Sequence, residues 1–276
     1  MSATIVCDEP LLGALRREGL DSVEGAFAYS GGEDLTKPGL SHRRRTRVSL
    51  TDEAGVRHEL YLKRYGAEPL KNRLRRRLTY GRRRSPAGVE FENIQAARAA
   101  GVQTMRPVAF GQELGLLGAK RSYLIATAVP GEALERCFED FLDRHGCGER
   151  TAGLTRKLAA AVRALHSSGY AHRDLYAAHI FLDEGGEDGT LYVIDLARMF
   201  RPRWRRFRWR VKDLAQLKYS MPARWVEGCW DAFLSAYGGG FGAAALERYR
   251  RAADRKAAAM RRRSDRKRRS DGSEMN

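Results

Sequence analysis

The sequence predicts an α+β fold with two lobes. Alternating apolar and polar residues dominate the first lobe, residues 1–129, which we expect to be β-rich. The turn pair Pro130-Gly131 marks a change of character, and the second lobe, residues 130–263, is predicted to be α-rich. Its clearest signal is an amphipathic helical pattern formed by Leu154, Leu158, Val162 and Leu165. The basic segment 264–276 is predicted to be disordered.

The composition is that of a globular and strongly basic chain. Hydrophobic residues make up 43% of its 276 residues, which argues against global disorder. The 51 Lys and Arg residues outnumber the 34 Asp and Glu residues, so the formal net charge is +17. Such a surface attracts nucleic acid, anionic lipid headgroups or a phosphorylated glycolipid, and charge alone does not choose among them.

Two further patterns narrow the class of protein. No apolar run approaches the roughly 20 residues that span a bilayer, and residues 1–20 lack the basic and apolar segments of a secretory signal. The four cysteines are scattered and form no C-x-x-C pair. This pattern suits a reducing cytosol and argues against a zinc site and a disulfide framework.

The first lobe is predicted to begin its sheet with a hairpin. Residues 46–50 and 56–65 read as its strands, and the second strand carries Lys63. The very basic connector 70–84 follows and is most simply a solvated surface. Ser85-Pro86 then signals the start of a helix that runs to about residue 100 and carries Glu90. Two more strands are predicted at residues 105–111 and 122–128.

The second lobe is predicted to contain a loop between an amphipathic helix and two short strands. The helix closes at Gly169, and residues 172–179 form the loop. The strands are predicted at residues 180–182 and 191–194, with helical segments from about residue 211 onward.

The candidate chemistry rests on two carboxylates that flank this pair of strands. Asp174 lies in the loop and Asp195 follows the second strand. Phosphoryl transfer needs a group that orients the attacking hydroxyl, a carboxylate that binds Mg²⁺, and a cation on the phosphates. Asp174, Asp195 and Lys63 fit these three roles in that order, and Glu90 would pair with Lys63. Glu92, two residues on and on another face of the helix, is the rival partner for Lys63.

This order of residues resembles the protein-kinase-like fold and, more closely, the bacterial lipopolysaccharide core kinases, the heptose and Kdo kinase family. The resemblance covers residues 43–220. Its motifs stand here as Tyr61-Leu62-Lys63, Val89-Glu90-Phe91, His172-Arg173-Asp174-Leu175-Tyr176-Ala177-Ala178-His179 and Val193-Ile194-Asp195-Leu196. The basic and aromatic stretch 203–209, which leads into Lys212-Asp213-Leu214, is also similar to that family.

The resemblance implies a bilobal kinase that uses ATP and Mg²⁺ to phosphorylate a sugar hydroxyl, of heptose or Kdo, in the lipopolysaccharide inner core. It implies a cytoplasmic enzyme peripheral to the inner membrane, with the core glycolipid and the anionic membrane surface as partners. No nucleic-acid partner is expected, and the oligomeric state is left open.

The resemblance also assigns roles to individual residues. Asp174 is the expected catalytic residue. ATP is expected to contact Lys63, Glu90, Thr127 and Val129, with the adenine near the last two. Asp195 and His179 are the expected metal ligands. The expected supporting residues are His172, Arg173 and Asp213.

Several departures from the protein-kinase pattern argue against a regulated protein kinase. His179 stands where a protein kinase has Asn, and an imidazole is a poorer Mg²⁺ ligand than an amide oxygen. Tyr176 stands where a Ser/Thr protein kinase usually has Lys. The Asp-Phe-Gly motif is reduced to Asp195-Leu196-Ala197, and no glycine-rich loop precedes Lys63.

Some alternatives stay open at this point. Arg173 is either a plain loop residue or the partner of an acidic group, and Asp213 either anchors the loop or is a charge at a helix N-terminus. Trp204, Phe207 and Trp209 could stack on bases, insert at a membrane interface or pack in the core, and core packing is favoured for Trp204 and Trp209. A kinase for a protein or small-molecule acceptor is the first functional alternative, and a non-catalytic basic module that binds RNA or membranes is the second.

Overall fold

The chain folds into two compact units. The computed structural model describes residues 2–6, 8–36, 42–67, 69–81, 85–115, 118–185 and 189–273. The first unit is sheet-rich and comprises Met1–Ala99 and Thr104–Val129, and the second is helical and comprises Ala100–Gln103 and Pro130–Asn276. The predicted α+β fold with a sheet-rich and a helical lobe is therefore confirmed. Residues 100–103 were predicted in the first lobe but belong to the second unit. The N–H of Val193 donates to the Gln103 carbonyl at 2.9 Å, and this hydrogen bond ties the segment to the second unit.

A six-stranded antiparallel sheet forms the frame of the first unit. Its strand order is β1-β5-β6-β4-β3-β2, and the predicted hairpin forms β3 and β4. Within this sheet, Lys63 pairs with Arg45 on one side and with Leu124 on the other. The strands are β1 Ser2–Val6, β2 Glu33–Asp34, β3 Arg43–Thr51, β4 Arg57–Tyr65, β5 Pro107–Gly115 and β6 Gly118–Thr127.

Helix α4 begins at the predicted signal. The Ser85 hydroxyl accepts a hydrogen bond from the backbone N–H of Gly88 at 2.9 Å, so it caps the first turn. Phe91 then stacks on Phe110 of β5 with 5.1 Å between ring centroids, which fixes the helix against the sheet. Most of the basic connector forms a helix of its own, and Arg82, Arg83 and Arg84 lie outside the described residues. The helices of this unit are α1 Leu12–Arg17, α2 Val23–Ala28, α3 Leu70–Tyr80 and α4 Pro86–Ala99.

The second unit packs helices around a small antiparallel sheet, β7-β8-β9. Its strands are β7 Glu132–Ala133, β8 Ile180–Asp183 and β9 Thr190–Val193. Its helices are α5 Leu134–His145, α6 Glu149–Ser167, α7 Arg206–Ser220, α8 Ala223–Tyr237 and α9 Ala243–Ser273. Helix α6 buries the predicted apolar stripe of Leu154, Leu158, Val162 and Leu165.

Two features of the second unit differ from the sequence-based expectation. Helix α9 continues to Ser273, although the sequence predicts a disordered segment from Ser264. Residues 266–269 are Arg and Lys, which are strong helix formers, and they extend a helix whose earlier turns pack on α7 through Tyr249 and Phe207. Trp204, expected in the core, is 83% exposed. Within the described ranges, we find no helix that is both long and apolar enough to cross a membrane.

Candidate functional site

The first unit contains a buried ion pair at the predicted positions. The Lys63 ammonium donates to Oε1 of Glu90, and the Tyr65 hydroxyl donates to Oε2 of the same carboxylate at 2.7 Å. The Lys63 and Glu90 side chains are 7% and 0% exposed. Glu92 is exposed on another face of α4, so the rival pairing is excluded. This geometry holds one lysine ammonium rigidly at the centre of the sheet, which is what a fixed phosphate-binding cation requires.

Thr127 and Val129 lie at the end of the same sheet. The Thr127 hydroxyl accepts from the backbone N–H of Arg106 at 3.0 Å, and the Thr127 N–H donates to the Arg106 carbonyl at 2.9 Å. Val129 is the last residue of the first unit and is half-buried. Their expected contact with adenine stays a prediction.

In the second unit, Asp213 holds the predicted catalytic loop through its backbone. Its carboxylate accepts from the N–H groups of His172 at 2.7 Å and Arg173 at 2.8 Å. It also lies 3.2 Å from Nε2 of His166, and it is fully buried. Asp213 lies in the middle of α7, so it is not a charge at a helix N-terminus. The Asp213 carboxylate therefore ties the loop to α7, which lies some 40 residues further along the chain, by accepting from two successive backbone amides.

His172 is a neutral structural residue of this loop. Its Nδ1 accepts from the backbone N–H of Asp174 at 3.3 Å, so Nε2 carries the proton and donates to the Ile194 carbonyl at 3.0 Å. The ring is completely buried, and burial lowers its pKa. It therefore links the loop to the strand end that precedes Asp195.

His179 adopts the opposite tautomer. Its Nδ1 lies 2.7 Å from the Asp174 carbonyl, which only accepts, so Nδ1 carries the proton. In the neutral form of this tautomer Nε2 carries the lone pair, and it lies 3.7 Å from Oδ2 of Asp195. The metal-binding role of His179 stays a prediction, and in this neutral tautomer Nε2 would be the ligating atom.

Two cations that the sequence analysis did not single out flank the Asp174 carboxylate. Arg198 Nη1 lies 2.9 Å from Oδ1 and 2.8 Å from Oδ2, and Lys212 Nζ lies 3.9 Å from Oδ1. Lys212 also donates to the Arg173 carbonyl. Burial lowers the pKa of Lys212, and the nearby Asp174 carboxylate opposes that effect. The only sequence signals were their positions, three residues after Asp195 and one before Asp213.

Arg173 packs on aromatic rings. It has a φ of 76°, in the left-handed region that non-glycine residues rarely occupy. Its guanidinium lies 5.0 Å from the ring centroid of Phe200 and 5.4 Å from that of Trp209. Trp209 is half-buried and packs against Phe200 at the edge of the core, and its stacking with Arg173 helps to hold the strained loop backbone.

The residues around Asp195 fit a metal that is bound together with a nucleotide. Asp195 is left-handed at φ 58° and its side chain is 36% exposed. The described ranges hold no cluster of three or more His, Cys, Asp or Glu residues suited to a metal ion. Mg²⁺ at phosphate sites uses one or two carboxylates and takes its other ligands from phosphates and water. Asp195, with Nε2 of His179 3.7 Å from its carboxylate, fits that requirement.

Comparison with known proteins places the chain in a family. The model of the lipopolysaccharide kinase (Kdo/WaaP) family matches residues 39–237. The lipopolysaccharide core heptose(I) kinase WaaP of Escherichia coli is 36% identical over 138 residues, which are 48% of this chain and 51% of that protein. WaaP of Escherichia coli strain K12 is 34% identical over 138 residues, which are again 48% of this chain and 51% of that protein. The chain therefore spans about half the length of these curated relatives.

A solved structure agrees in fold. The structure described as WaaP in complex with acyl carrier protein is similar with a TM-score of 0.64 and 24% identity. The match covers 92% of this chain and 99% of that one, and at this identity it supports the fold alone. The family match extends over most of the chain, from the sheet that carries Lys63 to helix α8. The chain belongs to the lipopolysaccharide kinase (Kdo/WaaP) family.

Proposed function

We propose that the protein transfers the γ-phosphoryl group of ATP to a sugar hydroxyl, of heptose or Kdo, in the lipopolysaccharide inner core. The observation that carries this proposal is the loop of Asp174, whose backbone is fixed by Asp213 and whose carboxylate is flanked by two cations. An aspartate held in this way can orient a hydroxyl, and the cations beside it can stabilise the charge of a transferring phosphoryl group.

Asp174 is the proposed catalytic residue. It would accept the hydrogen bond of the sugar hydroxyl and take its proton as that oxygen attacks the γ-phosphorus. Arg198 Nη1 contacts both oxygens of this carboxylate, and a carboxylate has about four acceptor sites, so the hydroxyl can bind beside Arg198. In that position Arg198 can contact an anionic group of the acceptor or the transferring phosphoryl group.

Lys212 is the proposed replacement for the lysine that protein kinases carry two residues after the catalytic aspartate. Tyr176 occupies that position here, and the loop cation Arg173 stacks on Phe200 and Trp209. Lys212 reaches the same carboxylate from α7 instead. Its ammonium would contact the transferring phosphoryl group, as a point charge on a half-buried stem.

The first unit would bind the nucleotide. Lys63, held by Glu90, would contact the α- and β-phosphates, and Thr127 and Val129 would line the adenine. Asp195 and Nε2 of His179 would hold Mg²⁺. The metal, when bound, neutralises the triphosphate and polarises the transferred group.

The proposed acceptor places the protein at the cytoplasmic face of the inner membrane. A lipopolysaccharide core glycolipid is anionic and anchored in lipid, and a net charge of +17 favours encounter with it and with anionic headgroups. Because WaaP has been solved with acyl carrier protein, that protein is also a candidate partner of this chain.

A transfer assay tests the activity directly. Purified protein would be mixed with ATP carrying a radiolabelled γ-phosphate and with lipopolysaccharide from a strain that lacks the enzyme. We expect label in the lipopolysaccharide with the wild type and with the exposed control Asp140→Ala on α5, and none with Asp174→Ala. Equal labelling by Asp174→Ala would refute the mechanism, and label only in proteins or small molecules would refute the acceptor.

A further inference from the structure

Helix α3 is a short and purely basic helix. Its eleven residues, Leu70–Tyr80, include no acidic residue. They include five cations: Lys71, Arg73, Arg75, Arg76 and Arg77. The sequence predicted no more than a solvated connector here. The structure shows a helix, and a helix sorts its side chains onto faces.

The apolar side of α3 is turned outward. Leu74 and Leu78 are 60% and 73% exposed. Being four residues apart, they lie about 40° apart around the helix axis, on one stripe. Arg76 and Tyr80, on the opposite face, are half-buried, and burial lowers the pKa of Arg76. A helix of a globular protein normally buries its apolar stripe and exposes its cations, so this orientation is reversed.

The exposed stripe is bordered by cations. Lys71 and Arg75 are exposed and follow the stripe along one side of the helix. Single exposed apolar residues are common on proteins and need no explanation, and Val56, in the β3–β4 turn, is one here. Two leucines on one outward stripe, next to cations and on a helix without acidic residues, are a different arrangement.

We propose that α3 docks the protein on an anionic lipid bilayer, lying in the plane of the interface with Leu74 and Leu78 in the acyl boundary. Lys71 and Arg75 would contact the headgroups. Eleven residues are too few to span a bilayer, and an interfacial helix needs only an apolar face and flanking cations. Two leucines offer far less than the roughly 800 Å² per partner of a stable protein interface. This inference rests on the proposed function, which requires an acceptor held in a membrane.

The apolar part of the inference is tested by vesicle sedimentation. The full chain would be mixed with vesicles of phosphatidylethanolamine and phosphatidylglycerol, without ATP or acceptor. We expect the double variant Leu74→Ser with Leu78→Ser to bind about tenfold or more weakly than the wild type. Val56→Ser, which removes an exposed apolar side chain elsewhere in the same unit, should bind as the wild type does.

The charge part is tested by a matched pair of reversals. Lys71→Glu with Arg75→Glu should weaken binding by at least about 20-fold. Arg255→Glu with Arg262→Glu, on exposed positions of α9, makes the same change in net charge and should have much less effect. Equal losses in the two pairs would show that only net charge matters and would overturn the role of α3.

The outcome is separable from the kinase proposal. Asp174→Ala should bind vesicles as the wild type does, so vesicle binding does not depend on catalysis. Thermal unfolding of each α3 variant in the presence of ATP and Mg²⁺ checks that the fold and the nucleotide site are intact. Wild-type vesicle binding by the leucine variant would overturn the inference. If that variant also lost binding to an acidic protein, with acyl carrier protein as the probe, α3 would be a protein-docking helix instead.

Discussion

Removal of the Asp213 carboxylate should destabilise the second unit and disable the catalytic loop together. Asp213 is fully buried and accepts two backbone hydrogen bonds, at 2.7 and 2.8 Å, from His172 and Arg173. Asp213→Ala leaves both of these N–H groups without an acceptor. A buried unsatisfied donor costs roughly 1–3 kcal/mol, so the free energy of unfolding should fall by about 3–5 kcal/mol.

The amide variant sets the scale. Asp213→Asn keeps one side-chain oxygen and so can satisfy one of the two N–H groups. We expect a loss of about 1–2 kcal/mol for Asp213→Asn. Both variants should lower kcat, because the loop that carries Asp174 is no longer held in one geometry.

Urea denaturation followed by tryptophan fluorescence measures this effect. All four tryptophans lie in the second unit, so the signal reports on the unit that contains Asp213. Asp140→Ala on the exposed side of α5 is the control and should change stability by less than about 0.5 kcal/mol. A loss below about 1 kcal/mol for Asp213→Ala would refute the reasoning, since it would mean that the two amides find other acceptors.

Three other predictions follow from the same geometry. Lys63→Met should lower the free energy of unfolding by about 3–5 kcal/mol, because it leaves the buried Glu90 carboxylate without its cation. In a double-mutant cycle measured by urea denaturation, Lys63→Met with Glu90→Leu should lower it by less than the sum of the two single changes. Lys212→Met should lower kcat by roughly 100-fold and change the KM for ATP little, with partial recovery in Lys212→Arg; a KM effect alone would contradict its role at the transferring group. Burial lowers the pKa of His172, so the unfolded state takes up the proton first as the pH falls. The free energy of unfolding should therefore fall below about pH 6.5, by up to about 1.4 kcal/mol per pH unit, until the lowered pKa is reached. In His172→Gln that part of the pH dependence should be missing.

The parts of the fold that the sequence predicts well are those with local signals. The hairpin of β3 and β4 follows from alternation, and α4 begins where Ser85-Pro86 signals a helix start. The choice of Glu90 over Glu92 could only be a preference from sequence, because both lie on one helix and the choice depends on which face meets the sheet. The buried pair with Lys63 settles that face.

The parts that the sequence does not predict depend on contacts between distant segments. Lys212 reaches Asp174 across 38 positions and Arg198 across 24, and no local pattern encodes either approach. The outward orientation of the α3 leucines could not be predicted for the same reason, because the sequence pattern of a helix does not determine which of its faces packs inward. For Trp204 the prediction from residue type was wrong. A large aromatic residue is usually buried, but Trp204 lies in a loop among arginines and is exposed.

The central claim is tested most directly by mass spectrometry of lipopolysaccharide from a strain that lacks this protein. The core should be missing one phosphate on an inner-core heptose or Kdo residue, and expression of the wild type should restore it. Asp174→Ala, produced at the same level, should leave the phosphate missing. An unchanged core in the deletion strain, or full restoration by Asp174→Ala, would contradict the account.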